Sequence, residues 1–273
     1  MDLAQAAVLG MVQGLTEFLP ISSSGHLVMV PYLLGWPAHS QAFDLALHLG
    51  TLLALLWFFW RDWLALIRGF IGGLLSAEAR REDAAWRMAL LVLLGSVPAG
   101  VVGVAFEKPI EALLRGAVIN AVLVIVFGVL LYVADRVGAL KRSIDEVDWR
   151  DALVMGLAQA LALMPGVSRS GITITAGLVR GLDRPTAARF SFLLSGPITA
   201  AAAVFKLREG IPQAELGGAL LGLVTSALVG FVAIGFLLRF LQRNSLVAFA
   251  AYRVLFGLLV IVVAISRGAG SGG

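Results

Sequence analysis

Glu17 is a charged residue within an apolar segment of the sequence. It lies in an otherwise apolar stretch, residues 9–19, with Gln13 four positions before it. An ionised carboxylate is costly in hydrocarbon, so we expect Glu17 to face a water-filled cavity, a cation or a basic side chain such as Arg169. Residues four apart share one helix face. The sequence therefore predicts a polar site that uses Gln13 and Glu17 together.

The apolar stretch breaks at Pro20, and the hydroxyls of Ser22, Ser23 and Ser24 follow, with His26 close behind. Unpaired backbone N–H groups at the start of the next helix would suit anionic oxygens. An imidazole within reach of a hydroxyl can remove its proton, which predicts Ser23 as a nucleophile and His26 as its base. For any single serine, a role as helix N-cap is the simpler alternative.

A similar break, residues 164–171, occurs about half a chain later. There, Arg169 stands between Ser168 and Ser170 and follows Pro165 and Gly166. Its guanidinium offers a planar fork of donors that fits phosphate or carboxylate oxygens. The simpler alternative is an ion pair with Glu17 alone.

The composition indicates an integral membrane protein. Of the 273 residues, 59% are hydrophobic and only 14% are charged, and the mean hydropathy is +0.93. The absence of cysteine excludes disulfides and thiolate catalysis. The basic residues are scattered through loops without interleaved aromatic residues, so no nucleic-acid partner is expected. The bilayer is the expected environment.

Apolar runs bounded by charges or breakers predict six crossing helices, at 42–60, 86–106, 117–134, 187–205, 217–238 and 246–266. Two other apolar stretches, 3–34 and 152–181, are broken in the middle. We predict that both are re-entrant helix-loop-helix hairpins, with a kinked crossing helix as the alternative. The predicted fold class is an all-α membrane protein with a single membrane domain, 1–273, that ends in a flexible tail at 268–273.

Lys and Arg residues are divided unequally between the two faces of this six-crossing arrangement. One face receives Arg61, Arg68, Arg80, Arg81, Arg87, Arg136, Lys141, Arg142, Arg150, Arg180, Arg184, Arg189, Arg239 and Arg243. The other receives Lys108, Arg115, Lys206, Arg208 and Arg267. By the positive-inside rule, the loops 61–87 and 135–151 are expected in the cytoplasm and both termini outside.

An internal repeat relates the two breaks. A shift of 146 positions pairs Gly10 with Gly156, Gln13 with Gln159, Leu15 with Leu161, Ser22 with Ser168, Ser24 with Ser170 and Gly25 with Gly171. The first unit, about 1–134, contains an odd number of predicted crossings before the second unit, about 151–266. The second copy should therefore be inverted, so that the two hairpins enter from opposite faces and meet near the midplane.

Two motifs in this order resemble a known family over nearly the whole chain. The first reads Gln13-Gly-Leu-Thr-Glu17-Phe-Leu-Pro-Ile-Ser-Ser-Ser-Gly-His26, and the second reads Pro165-Gly-Val-Ser-Arg-Ser-Gly-Ile-Thr173. The sequence is similar to the bacterial undecaprenyl-pyrophosphate phosphatases, also called bacitracin-resistance proteins. Gln13 stands where many members of that family have Glu.

The resemblance implies an inner-membrane enzyme that removes the terminal phosphate of a C55 lipid pyrophosphate, with a site open to the periplasm and a divalent cation, Mg²⁺ or Ca²⁺, assisting. It supports catalytic roles for Glu17, Ser23, His26 and Arg169, with Glu17 as the expected cation ligand. Substrate contacts are expected from Gln13, Ser22, Ser24, Gly166, Ser168, Ser170 and Thr173. A polyprenyl pyrophosphate is the expected partner, and a homodimer is left open.

Alternatives remain for both the mechanism and the function. His26 or Glu17 could activate water directly, without a phosphoserine. Inverted repeats with broken helices are also typical of secondary transporters, so a transporter or lipid-phosphate flippase using the same site is the competing function. A purely structural scaffold would leave the cost of burying Glu17 and Arg169 unexplained.

Overall fold

The structure is a computed structural model that describes residues 2–114, 116–206 and 212–270. These residues form α-helices, two short 3₁₀ turns and no β-strand. The helices are α1 (Leu3–Phe18), α2 (Ser23–Leu34), α3 (Gln41–Phe58), α4 (Trp60–Leu75), α5 (Ala77–Glu82), α6 (Ala84–Leu114), α7 (Ala117–Val137), α8 (Trp149–Leu161), α9 (Arg169–Val179), α10 (Arg184–Lys206), α11 (Leu216–Leu241) and α12 (Val247–Gly270).

Six of the described helices are long and apolar enough to cross a membrane. They comprise all or most of α3, α6, α7, α10, α11 and α12, and each spanning segment agrees with its predicted segment to within three residues at either end. The prediction of an all-helical, multi-pass membrane protein is therefore confirmed. The predicted tail at 268–273 lies partly outside the described residues, and α12 continues as far as Gly270.

The two interrupted stretches each form a pair of helices, α1 with α2 and α8 with α9. Each break ends in a serine with positive φ, 80° at Ser22 and 76° at Ser168, in the region that non-glycine residues seldom adopt. The hydroxyl of Ser22 accepts from the N–H of Gly25 at 3.3 Å, and that of Ser168 accepts from the N–H of Gly171 at 3.1 Å. Both serines therefore cap the helix that follows.

Glycines let the helices that precede the breaks pack closely against their neighbours. A Cβ on Gly10 of α1 would lie 2.8 Å from the carbonyl oxygen of Gly222 in α11. A Cβ on Gly156 of α8 would lie 2.3 Å from the carbonyl oxygen of Gly95 in α6. Small residues at such contacts are how membrane helices approach one another. The positions of α1 and α8, and of the polar residues they carry, are thereby fixed.

The segment predicted as a cytoplasmic loop, 61–87, contains helices α4 and α5. Gly69 and Gly73 of α4 pack directly against Ala85 and Trp86, near the start of α6. The basic residues of α4, including Arg68, lie on its exposed face. Uniformly apolar runs end at such charges. An amphipathic helix such as α4 therefore does not stand out as an apolar run in the sequence.

Candidate active site

Glu17, near the end of α1, connects the two breaks. It is only 8% exposed. Its Oε2 accepts hydrogen bonds from the hydroxyl of Ser23 at 2.5 Å and from Nε2 of Gln13 at 3.2 Å. Its Oε1 is ion-paired with the guanidinium of Arg169. A carboxylate that would be costly alone in the membrane is thus held between one hydroxyl of the first break and the arginine of the second.

Arg169, the first residue of α9, is held from two sides. One terminal nitrogen donates to Glu17 and the other donates to the hydroxyl of Thr199 in α10. Thr199 was not identified from the sequence, because a threonine within an apolar crossing helix carries no motif. The two contacts orient the plane of the guanidinium, which a single ion pair would leave free to rotate.

A cavity of about 300 Å³ lies beside this pair, at the lower end of the range for small-ligand sites, which is about 300–1,000 Å³. Its polar lining includes Glu17, Ser23, Ser24, Gln41, Asp44, His48, Gln159, Ser168, Arg169, Thr199 and Lys206. Helices α2 and α9 begin at Ser23 and Arg169, so two helix N-termini reach the same cavity. Helix N-termini carry partial positive charge and favour anions, and Arg169 adds a full positive charge.

Reciprocal hydrogen bonds hold the two breaks together. The backbone N–H of Gly166 donates to the hydroxyl of Ser24 at 3.4 Å. The hydroxyl of Ser170 donates to the carbonyl oxygen of Leu19 at 3.1 Å. Each break thus contributes a serine that binds the backbone of the other, although the two segments are far apart in the sequence.

Arg253 of α12 is fully buried and binds the backbone of both breaks. It donates to the carbonyl oxygen of Pro20 at 3.2 Å and to those of Gly166 and Val167 at 3.0 Å each. Its Nε donates to the carbonyl oxygen of Val124 at 2.9 Å. The motifs in the sequence do not include Arg253. An arginine inside an apolar run was the available signal, but the groups it meets are distant in the chain.

Replacement of Arg253 by Met should destabilise the protein by at least about 3 kcal/mol, because several buried carbonyl oxygens would lose their donors. Thermal unfolding in detergent would measure this. Arg267→Met is the matched control. Arg267 also lies on α12 and donates to two carbonyl oxygens, those of Tyr32 and Leu33, but its side chain is exposed. Equal unfolding temperatures for the two variants would show that Arg253 does not hold the breaks together.

His26 forms no hydrogen bond with Ser23, because both of its ring nitrogens have other partners. Its Nδ1 lies 2.7 Å from the carbonyl oxygen of Ser22, which can only accept, so this nitrogen carries the proton. Its Nε2 is 2.8 Å from the hydroxyl of Tyr252, and the ring stacks on Phe256 with centroids 4.4 Å apart. Both ring nitrogens are engaged, and His26 is not part of the cavity lining.

The other residues predicted to contact substrate fall into two groups. Ser24 and Ser168 line the cavity, whereas Gln13, Ser22, Gly166, Ser170 and Thr173 are not among the residues that line it. Thr173 is buried and bonds the carbonyl oxygen of Arg169 at 2.7 Å. The structure therefore places this threonine where it supports α9.

His48 on α3 lines the cavity and was not predicted as a site residue. Its Nδ1 donates to the carbonyl oxygen of Asp44 at 2.8 Å, and its Nε2 lies 4.0 Å from Oε2 of Glu17. Asp44 and His48 both fall within the predicted crossing helix 42–60. The rotation of that helix towards the break, however, could not be read from the sequence.

The fit of a divalent cation can be assessed from the available donors. Among the described residues, no group of three or more His, Cys, Asp or Glu side chains is arranged to hold a metal ion. Glu17 already binds Arg169, Ser23 and Gln13. Glu17 and Asp44 are the carboxylates that line the cavity, so the described residues offer a cation few ligands, which suits a metal that is bound mainly by the oxygens of a ligand.

These features define a multi-pass membrane protein with a polar cavity built where two helix breaks meet. The chain matches the family model described as "Bacitracin resistance protein BacA" over residues 6–259 and belongs to that family. The resemblance seen in the two sequence motifs is thereby confirmed.

Similar full-length proteins carry the name undecaprenyl-diphosphatase. Those of Geobacter sulfurreducens, Geotalea daltonii and Moorella thermoacetica are 50%, 48% and 46% identical to this chain. The matches cover 98%, 96% and 96% of this chain and 100%, 98% and 98% of the respective relatives. The likeness therefore extends over both breaks and all six crossing helices.

Proposed function

We propose that this protein is an undecaprenyl-diphosphate phosphatase, which releases the terminal phosphate of the C55 lipid diphosphate and leaves undecaprenyl phosphate for reuse as a cell-wall lipid carrier. The observation that carries the proposal is the hydrogen bond between Ser23 and Glu17, next to Arg169 and on the wall of one cavity. The names of the relatives support the same activity. A transporter has no need of a hydroxyl bonded to a carboxylate at its anion site.

In the proposed first step, the terminal phosphate binds between Arg169 and the N-termini of α2 and α9. The Ser23 oxygen attacks phosphorus, the Ser23 proton passes to Glu17, and the bond from phosphorus to the bridging oxygen breaks, so that undecaprenyl phosphate leaves. Water then attacks the phosphoserine, Glu17 returns its proton to the Ser23 oxygen as the bond to phosphorus breaks, and phosphate leaves with the hydroxyl restored. Positioning and charge neutralisation supply most of the catalysis in such transfers.

Glu17 is the proposed proton acceptor because it contacts the Ser23 hydroxyl at 2.5 Å. We assign His26 a positioning role, through its bond to the carbonyl oxygen of Ser22 at the start of the same turn. Direct attack by water, with no phosphoserine, is the competing mechanism.

A Mg²⁺ or Ca²⁺ ion would be held by Glu17 and by the substrate's diphosphate oxygens, consistent with the preference of Mg²⁺ for few carboxylates plus phosphates. Such an ion neutralises part of the charge of the diphosphate. With Gln13 in place of a second carboxylate, the proposed site depends more on Arg169 for positive charge.

The proposed architecture places α1–α2 and α8–α9 as re-entrant hairpins in two inverted units, about 1–134 and 151–266. None of these four helices reaches the roughly 20 residues that a crossing needs. Helix packing supports the repeat: α1 and α3 pack on α11, just as α8 and α10 pack on α6. Every residue in the scheme comes from one chain, so the reaction does not require a homodimer.

We propose that the protein lies in the inner membrane and that its cavity opens to the periplasm. Gln41 at the start of α3 and Lys206 at the end of α10 line it, and both lie on the face that carries the fewer Lys and Arg residues. A Gln41→Cys variant should react with a membrane-impermeant thiol reagent in spheroplasts, because the native chain has no cysteine. A Lys141→Cys variant should react only after permeabilisation. The reverse pattern would overturn this orientation.

The function is tested by phosphate release from a long-chain prenyl diphosphate, using purified protein in detergent, where no gradient exists. We expect multiple turnovers by the wild-type protein. Movement of lipid phosphate in sealed vesicles without any phosphate release would instead support the transporter.

A further inference from the structure

Gln159 of α8 is a buried polar residue that the proposed reaction does not yet use. It is 2% exposed and lines the cavity together with Ser168 and Arg169. Neither its Nε2 nor its Oε1 has a hydrogen-bond partner among the described residues. A buried amide without a partner is unfavourable and uncommon in native proteins, so its presence on a cavity wall points to a partner that enters the cavity.

Gln13, the residue 146 positions earlier, provides an internal comparison. Its Nε2 is bonded to Glu17 at 3.2 Å and lies within 3.4 Å of the hydroxyl of Thr51. Gln159 has the corresponding place before the second break, but no described carboxylate or hydroxyl meets it. The donor group of the first glutamine is used within the protein, whereas that of the second has no partner among the described residues.

Gln159 cannot easily move away from the cavity. Gly156, one turn earlier, packs so closely on Gly95 of α6 that an added Cβ would lie 2.3 Å from the Gly95 carbonyl oxygen. This contact fixes the rotation of α8 and therefore the wall that carries Gln159. Two sides of the cavity are thus built differently, with charged Arg169 on one helix and an uncharged amide on another.

We propose that Gln159 donates a hydrogen bond to the inner phosphate of the substrate, the one that stays on the lipid, and so makes the site selective for diphosphates. The inference rests on the proposed function, in which Ser23 and Arg169 engage the terminal phosphate. The inner phosphate is joined to the terminal one by a single oxygen and must lie in or beside the same cavity. An N–H donor there stabilises the charge that develops on the bridging oxygen when its bond to phosphorus breaks.

The test compares two probes, inorganic phosphate and methylenediphosphonate, whose binding to detergent-purified protein is followed by thermal stabilisation. Phosphate can occupy only the Arg169 side, whereas the diphosphonate spans both. In Gln159→Leu, we expect the diphosphonate to bind about tenfold more weakly and phosphate to bind within about twofold of wild type. Gln242→Leu, at an exposed glutamine, should change neither.

A purely structural role predicts a different result. Removal of a structural amide would lower the unfolding temperature of Gln159→Leu without ligand and would leave the ratio of the two affinities unchanged, and that outcome would overturn the inference. The proposed function is judged separately: wild-type protein that releases no phosphate from prenyl diphosphate contradicts the phosphatase, whatever the affinity ratio. Wild-type hydrolysis with an unchanged ratio in Gln159→Leu contradicts only the role of Gln159.

Discussion

Replacement of Ser23 by Ala is expected to lower kcat for prenyl diphosphate by at least about 10³-fold, with a much smaller change in KM. Among the described residues of the first break, this hydroxyl alone lines the cavity and donates directly to Glu17, so its removal leaves the carboxylate with no serine nucleophile to activate. Initial rates of phosphate release across a range of substrate concentrations would measure the effect. Ser266→Ala, at an exposed serine of α12, should retain wild-type rates.

The two mechanisms differ most clearly in this variant. If Glu17 activates water directly, loss of the Ser23 hydroxyl leaves the base, the arginine and the helix N-termini in place. Turnover would then stay within about tenfold of wild type, because only a positioning hydrogen bond has been lost. A rate in that range would contradict a phosphoserine.

Arg169→Lys should be the second most damaging change, with a loss of kcat of about 10²–10³-fold, as is typical when one donor to a transition-state charge is removed. Lysine keeps the positive charge but is a compact point donor that cannot reproduce a planar fork. Arg169 binds Glu17 and Thr199 at once, and lysine would have to give up one of these contacts. Steady-state turnover and thermal unfolding should be measured on the same preparation.

Arg189→Lys is the matched control for this change. Arg189 also forms an ion pair with a carboxylate, that of Asp62, but is partly exposed and not part of the cavity lining. We expect it to keep near-normal turnover. If Arg169→Lys does the same, the ion pair with Glu17 serves stability only and phosphate is held by other groups.

Much of the architecture was accessible from the sequence because the bilayer restricts the possibilities. Crossing helices must satisfy their backbone internally and present apolar surface, so six apolar runs predicted six crossings. The convergence of Glu17 with Arg169 was also predictable, since neither charge is tolerable alone in hydrocarbon.

The orientation of individual side chains was less accessible. His26 follows Ser23 closely in the chain, which suggested a catalytic pair. Its ring is instead held by the carbonyl oxygen of Ser22 and by aromatic residues of α12. The aromatic partners, Tyr252 and Phe256, are more than 200 residues away in the sequence, and no local pattern indicates them.

The same reason explains why no sequence motif marks Arg253. Its significance lies in three carbonyl oxygens of the two breaks, and a backbone carbonyl has no sequence signature. Thr199 and His48 were missed because their role depends on how α10 and α3 are rotated towards the cavity, and rotation is set by tertiary packing.

The most direct test of a Ser23 nucleophile beside Arg169 is to find the transferred phosphate on the protein. Prenyl diphosphate labelled in its terminal phosphate is mixed with enzyme, quenched in acid within the first turnover, and the labelled peptide is identified. The proposed mechanism predicts label on Ser23 that forms before free phosphate and is absent from the Ser23→Ala variant. Rapid release of phosphate with no label on the protein, together with undiminished turnover by Ser23→Ala, would contradict it.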